Sequence, residues 1–208
     1  MVGDKTPPKS YKPPFCLWLC LNVTAPCFHF TRAKDTPIVF QNCVITKGIS
    51  MTHEEKTVAL LKERGWRISF AESCTAGLAV GTLVDVPSAS SVLDVSFITY
   101  ANEAKTKYAH VKEETLALYG AVSEETALAM AEGVAKESGA EVGVGISGIA
   151  GPDGGTAEKP VGMVCFGFYI NGKRSACTCR FGEELSRREV RECAVRFVFR
   201  SLAALLQK

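Results

Sequence analysis

Asn171-Gly172 separates two runs that both read as strands, Val161–Ile170 and Lys173–Phe181. An Asn-Gly pair supplies the two positive-φ residues of a tight turn whose twist matches that of paired strands, so the two runs are predicted to form an antiparallel hairpin. What precedes the hairpin alternates helix and strand patterns. Thr52-His53-Glu54-Glu55 has capping-box spacing, Val58, Leu60 and Leu61 give an apolar face, and Gly65 suits the position just past a helix end. Arg67–Ala71 reads as a strand, Thr75–Val84 as a helix of small residues, and Val92–Tyr100 as a second strand. Short helices are expected over Asn102–Tyr108 and Glu113–Tyr119. A longer one runs from Ser123 to Ser138-Gly139, with Glu124 and Glu125 where the helix dipole favours carboxylates. Glu141–Ile146 is a third strand before the hairpin, and an amphipathic helix, Glu184–Leu206, follows it. This order implies an α/β fold, a three-layer α/β/α sandwich with a mixed sheet and a C-terminal β-hairpin plus helix.

The 208 residues suffice for one domain and a tail. With 47% hydrophobic and 22% charged residues, the chain can bury a core without disulfides or a structural metal. Residues 1–50 read differently. They carry six basic and two acidic side chains, which leaves 18 basic and 20 acidic residues for the rest. That mildly acidic body argues against a domain that binds nucleic acid through phosphate contacts. Phe15–Val23 is apolar but too short to span a bilayer, which takes about 20 residues. The 1–50 extension is expected to be disordered, and three readings of it stand open: a signal-peptide core, an organellar presequence, or a start of translation at Met51 instead of Met1. The expected location is the cytoplasm, or an organelle if the extension is a presequence. Cys16, Cys20, Cys27 and Cys43 contain no CxxC pair, so zinc is not indicated, and an odd total of nine cysteines fits reduced thiols. Cys177 and Cys179 lie two apart on an expected strand and share one face, where small apolar fillers are the simplest reading.

Three segments carry candidate chemistry. His29, His53 and His110 adjoin none of them, so a Ser-His-Asp triad or a His-rich metal site is poorly supported. Ala71-Glu-Ser-Cys-Thr-Ala-Gly77 joins a strand to a helix, which exposes a side chain and aims helix N–H groups at an anion. Ser73, Cys74 and Thr75 can each serve as nucleophile or binding group there, and simple N-capping is the bland alternative. Tyr100-Ala-Asn-Glu-Ala-Lys105 lies at a second strand-to-helix switch, where open α/β sheets place their ligands. Lys105, if desolvated, can act as the base that histidine does not supply; a lone lysine on a short helix is otherwise a solvated one. Ser147–Pro160 is a 14-residue loop with Gly148, Gly151, Gly154 and Gly155, able to form an anion nest or an oxyanion hole. It matches neither the dinucleotide-binding nor the Walker fingerprint, and its length and composition speak for more than a connector.

In this order and spacing, AESCTAG, TYANEAK, GAVSEET, SGIAGPDGGTAEKPVG and the Arg187 to Arg191 pair resemble the C-terminal domain of the competence-damage-inducible CinA family. The resemblance covers nearly all of residues 52–206. Free-standing members of that family are nicotinamide-nucleotide amidohydrolases. The resemblance therefore implies hydrolysis of nicotinamide mononucleotide to nicotinate mononucleotide and ammonia, in pyridine-nucleotide salvage, with no metal and no cofactor. Ser73 would be the nucleophile and Lys105 its base, with Tyr100 relaying or positioning the proton. Backbone N–H groups near Ser73 or in the 147–156 loop would hold the oxyanion. Thr75, Ser147, Thr156 and Lys159 would meet the substrate's phosphate or ribose, helped by Arg187 or Arg191, with Gly77, Asn102, Gly148 and Gly155 as further substrate-binding positions. The expected partners are the mononucleotide and further copies of the chain as a homo-oligomer, without nucleic acid or membrane.

The chain departs from the family pattern in four places. Ala76 and Ser96 stand where glycine is usual, Ala101 replaces the serine of TYSNEAK, and the spacing before Arg187 differs from the usual Gly-Asp-Arg. A non-catalytic nucleotide-binding domain and an amidase for another small amide are the competing readings. The presence of both Ser73 and Lys105 favours activity.

Overall fold

The computed structural model describes residues 51–207. The 1–50 extension and the three readings of it lie outside the described residues. Helix α1 (His53–Arg64) opens with the predicted capping box: Thr52 Oγ1 accepts from Glu55 N, and Glu55 Oε2 accepts from Thr52 N. It ends on Gly65 at φ 65°. There follow β1 (Ile68–Glu72), α2 (Leu78–Val84), a 3₁₀ turn (Ala89–Ser91), β2 (Phe97–Ile98), α3 (Asn102–Ala109), α4 (Glu113–Tyr119), α5 (Glu124–Ser138), β3 (Val142–Gly148), β4 (Met163–Ile170), β5 (Lys173–Arg180) and α6 (Arg187–Leu205). The five strands form one mixed sheet in the order β2-β1-β3-β4-β5. β2, β1 and β3 run parallel, and β3, β4 and β5 are antiparallel neighbours. At the hairpin, Asn171 and Gly172 adopt φ of 45° and 87°, the two positive values that its turn requires.

Strand alternation sorts the core by side-chain size. Ile68 and Phe70, Val142, Val144 and Ile146, and Val164, Phe166 and Phe168 share the face covered by α1, α2 and α6. The opposite face carries Ala71, Gly143, Gly145 and Gly167, and there α5 lies almost directly on the backbone. A β-carbon on Gly143 would overlap Ala131 O, and one on Gly145 or Gly167 would overlap Ala127 O. Adding volume at such contacts costs about 1–3 kcal/mol. Met130 and Val134 of α5 pack with Ala71, Ala109 and Val111, which seats α3 and α4 on the same side as α5. Helices thus cover both faces, as the order of elements predicts.

Among the boundaries that differ from the sequence reading, two have a clear physical reason. The helix expected from Thr75 begins at Leu78, because Ala76 and Gly77 take φ of 49° and 90°, which no right-handed helix contains. The strand expected over Val92–Tyr100 contracts to Phe97–Ile98, with a lone bridge from Ile68 to Leu93. Here Phe70 N donates to Ser96 Oγ at 3.0 Å, so a side chain substitutes for a carbonyl of the ladder. No helix among the described residues is long and apolar enough to cross a membrane.

The departures at 76 and 101 have structural consequences. Ala101 is the N-cap of α3 and, lacking a hydroxyl, makes no capping bond. Ala101→Ser is expected to stabilise the protein by about 1 kcal/mol, raising Tm by about 2–4 °C in a thermal melt. Ala76 sits in the left-handed region, where a β-carbon costs roughly 1–2 kcal/mol, partly offset by the smaller unfolded-state entropy of alanine relative to glycine. Ala76→Gly should therefore raise Tm as well, by a smaller amount, and a lower Tm would refute the strain.

Candidate active site

β1 delivers its last residues to the carboxyl edge of the sheet, and residues 73–77 turn from there into α2. Ser73 N donates to Ile146 O at 2.9 Å, which prolongs the β1–β3 ladder and fixes the start of the turn. Glu72 points the other way, into the α2 side of the sheet. Its buried carboxylate accepts Gly77 N (3.0 Å) and Ala79 N (3.1 Å) on one oxygen and Val80 N (2.8 Å) on the other. These first-turn donors are thereby spent on an internal anion. The sequence reading had them facing a bound anion; the structure gives them to Glu72 instead. The amides of Cys74 and Thr75, ahead of the helix, reach no other residue's acceptor among the described residues.

Lys105 lies one turn into α3, and its chain folds back toward the ends of β1 and β2. It is 1% exposed. Its Nζ lies 2.9 Å from Thr99 O, 3.1 Å from Tyr100 O and 3.2 Å from Ser73 Oγ. An ammonium would donate to all three, and no carboxylate meets it at hydrogen-bond distance among the described residues. Burial accordingly pushes its pKa down from the ordinary 10.5, with Cys74 and Glu103 acting weakly in the opposite sense. The two carbonyls also orient the neutral amine. With two N–H bonds given to Thr99 O and Tyr100 O, the nitrogen lone pair is left facing the Ser73 hydroxyl.

Among the three possible nucleophiles of this turn, Ser73 is the one in contact with the amine. Burial raises the Cys74 thiol to about 12, which keeps it protonated and inert. Thr75 is fully buried, and neither its Oγ1 nor that of Thr99 has a partner among the described residues. Tyr100 contacts Lys105 through its carbonyl, while its ring is 56% exposed and its Oη accepts from Arg187 Nη2 at 2.8 Å. Arg187 Nη1 donates to Gly151 O at 2.9 Å, so the first turn of α6 ties Tyr100 to the glycine-rich loop. Arg191 Nη2 donates to Thr75 O at 2.7 Å, and its Nε is buried without a partner among the described residues. Neither arginine forms an ion pair among the described residues.

Ser73, Lys105, Tyr100 and Arg187 are thus linked by direct contacts, and Thr75 and Arg191 by a separate one. Gly77, at the start of α2, and Arg191 border a depression of about 410 Å³. Asn102 is exposed at the start of α3. Ser147 is 1% exposed and donates to Ala121 O at 2.6 Å, which anchors the segment between α4 and α5. Gly148 ends β3 at a point where a β-carbon would crowd Met163 O. Gly155 and Thr156 border a separate groove of about 500 Å³. Thr156 Oγ1 accepts from Lys159 N, and Lys159 Nζ donates to Tyr119 O at 2.8 Å. Sequence reasoning gave Glu72 no role; its signal is a carboxylate at the end of an apolar strand, a few residues before a helix start.

These features define an α/β sandwich protein whose buried lysine is paired with a serine at a strand-to-helix turn. The chain belongs to the CinA C-terminal domain family, whose sequence profile matches residues 50–206. It is 48% identical over 155 residues to a CinA-like protein of Kosmotoga olearia, covering 74% of this chain and 38% of that one. It is 56% identical over 115 residues to a putative competence-damage inducible protein of Symbiobacterium thermophilum, covering 55% of this chain and 27% of that one. The match thus spans about a third of the length of these relatives. Among solved structures, competence/damage inducible protein CihA from Agrobacterium tumefaciens aligns with a TM-score of 0.71 at 40% identity, over 77% of this chain and 100% of that one. A CinA superfamily protein from Escherichia coli aligns with a TM-score of 0.68 at 30% identity, over 81% of this chain and 100% of that one.

The lowered pKa of Lys105 has a stability consequence. Between its folded value and 10.5 the unfolded chain binds the extra proton, so stability rises with pH through that window; below it the penalty of the buried charge is present in full. Lys105→Met removes that penalty. In urea titrations its stability relative to the parent is expected to be most favourable at neutral pH or below and to decline as pH approaches 10.5. A difference independent of pH would show that Lys105 is not desolvated.

Proposed function

We propose that the Ser73–Lys105 pair hydrolyses the carboxamide of nicotinamide mononucleotide, giving nicotinate mononucleotide and ammonia. The observation that carries this reading is the Lys105 amine, kept from solvent and aimed by two carbonyls at Ser73 Oγ, 3.2 Å away. In the proposed sequence neutral Lys105 takes the Ser73 proton as Oγ attacks the carboxamide carbon. The amides of Cys74 and Thr75 receive the oxyanion, a contribution of about 3–4 kcal/mol per donor. Lys105 then returns the proton to the departing nitrogen and ammonia leaves. A water molecule, deprotonated by Lys105, opens the Ser73 ester and releases the carboxylate. Because Glu72 occupies the first turn of α2, the substrate's phosphate falls to side chains, and Arg187 and Arg191 are cations at hand without carboxylate partners among the described residues. The exposed ring of Tyr100 offers a face for the positively charged pyridinium. The acidic body supports a small-molecule substrate over nucleic acid.

The test is ammonia release from nicotinamide mononucleotide by the purified full chain in EDTA, beside Ser73→Ala and Lys105→Ala. The parent should turn over, and each variant should lose on the order of 10³-fold or more in kcat while keeping its circular dichroism spectrum. The parent's kcat should rise with pH to a plateau reached below 10.5, since only neutral Lys105 accepts the serine proton. No ammonia from a folded parent would reject the proposal for this substrate.

A further inference from the structure

Thr99 is fully buried, and its Oγ1 has no hydrogen-bond partner among the described residues. A buried hydroxyl left alone destabilises a fold, so its presence calls for a reason. Ser69, Thr75 and Ser201 also carry such hydroxyls, but of the four only Thr99 contacts Lys105. The strand pairing sets its place. Ala71 pairs with Phe97 and Glu72 with Ile98 in the parallel β1–β2 ladder, and Thr99 N donates to Glu72 O at 2.8 Å. The same register carried one step further sets Thr99 beside Ser73, at the usual strand spacing of about 4.8 Å. Ser73 and Thr99 each lie two positions beyond a residue of the α5 face, Ala71 and Phe97, so both side chains leave that face. Lys105 Nζ bridges the two, 2.9 Å from Thr99 O and 3.2 Å from Ser73 Oγ.

An ammonium at Lys105 has three N–H bonds, and the resting protein offers three acceptors: Thr99 O, Tyr100 O and Ser73 Oγ. That match fails once Ser73 has reacted. Its Oγ is then an ester oxygen, a poor acceptor, while the proton it gave up sits on Lys105. Two N–H bonds keep the carbonyls, and the third needs another oxygen, because a buried charge with an unmet donor is strongly disfavoured. Thr99 Oγ1 is an uncommitted oxygen on a residue that Lys105 already touches, on the face that Ser73 shares.

We propose that Thr99 is a positioning residue for the base: its hydroxyl accepts the third N–H of the Lys105 ammonium while Ser73 is esterified. Thr99 acts through Lys105 and not on the substrate. Its role rests on the proposed proton transfer from Ser73 to Lys105, whatever group esterifies the serine. The hydroxyl stays without a partner at rest because its partner appears only after that transfer.

Phenylmethylsulfonyl fluoride separates that transfer from substrate recognition. Ser73 Oγ forms a bond to sulfur, the S–F bond breaks, fluoride leaves with its electron pair, and the hydroxyl proton passes to Lys105. The native full chain is treated with the reagent, and the rate of sulfonylation at Ser73 is followed by mass spectrometry. Thr99→Val keeps the shape of the side chain and exchanges hydroxyl for methyl. It should slow the reaction about 10- to 100-fold, the usual effect of losing a hydrogen bond to a charged group. Thr99→Ser should restore most of the rate. Because the hydroxyl has no partner at rest among the described residues, Thr99→Val should melt at the parent's Tm or above it, which a merely structural threonine does not give. Labelling that is slowed in Thr99→Val, with no ammonia released from nicotinamide mononucleotide by the parent, would uphold the role of Thr99 and reject only the substrate. Three results would overturn the proposal: no labelling of Ser73 in the parent, equal rates in the parent and Thr99→Val, or a lower Tm for Thr99→Val.

Discussion

The close approach of α5 to the sheet is the constraint on which the rest of the structure depends. Gly143, Gly145 and Gly167 let the helix backbone settle where any β-carbon would strike Ala127 O or Ala131 O. With that face of β3 and β4 reduced to small residues, the bulky ones collect on the other face, where α1, α2 and α6 bury them. The same economy of size recurs one layer out. A β-carbon on Gly133 of α5 would overlap Ala109 O at the end of α3, so glycine sets the height of α3 over α5. Lys105 rides on α3. Its reach to Ser73 thus depends on glycines that touch neither residue.

Lys105 itself runs against the grain of folding. An amine 1% exposed, with two carbonyls and a hydroxyl as its partners and no carboxylate, is a poor choice for stability and a good one for a base that has to be neutral. Burial depresses the lysine and raises the neighbouring Cys74 thiol by one and the same desolvation. One turn therefore holds an inert sulfur beside an amine that loses its proton readily. Local rules broken without local compensation are what functional sites look like in otherwise consistent sequences.

Most of the architecture is legible in the sequence because it is written in local signals. The capping box at Thr52, the cap at Ser123, the terminal glycines and the Asn171-Gly172 turn each act within a few residues. The two misplaced boundaries depend on longer reach. β2 is short because Ser96 accepts from Phe70, 26 residues away, and α2 starts late because Ala76 adopts a backbone conformation that alanine rarely takes. For the site, Ser73 and Lys105 stand out in their motifs, but the carbonyls that aim the amine have no side-chain signature. Ser147 shows the opposite case: its glycine-rich setting advertises ligand contact, while its hydroxyl is committed to Ala121 O. The carboxylate that closes α2 from within leaves only a faint trace, Glu72 at the end of an apolar strand just ahead of a helix start.

That closure separates two tasks that many strand-to-helix sites combine. Where a bound phosphate completes a helix N-terminus, the ligand is part of the scaffold, and changing the ligand unsettles the turn. Here the turn carrying Ser73 is complete before anything binds, since its helix cap comes from the chain's own Glu72. The arginines that border that turn, Arg187 and Arg191, come instead from α6, more than a hundred residues further along the chain. The charge around the turn is thus set by a helix other than the one the turn leads into.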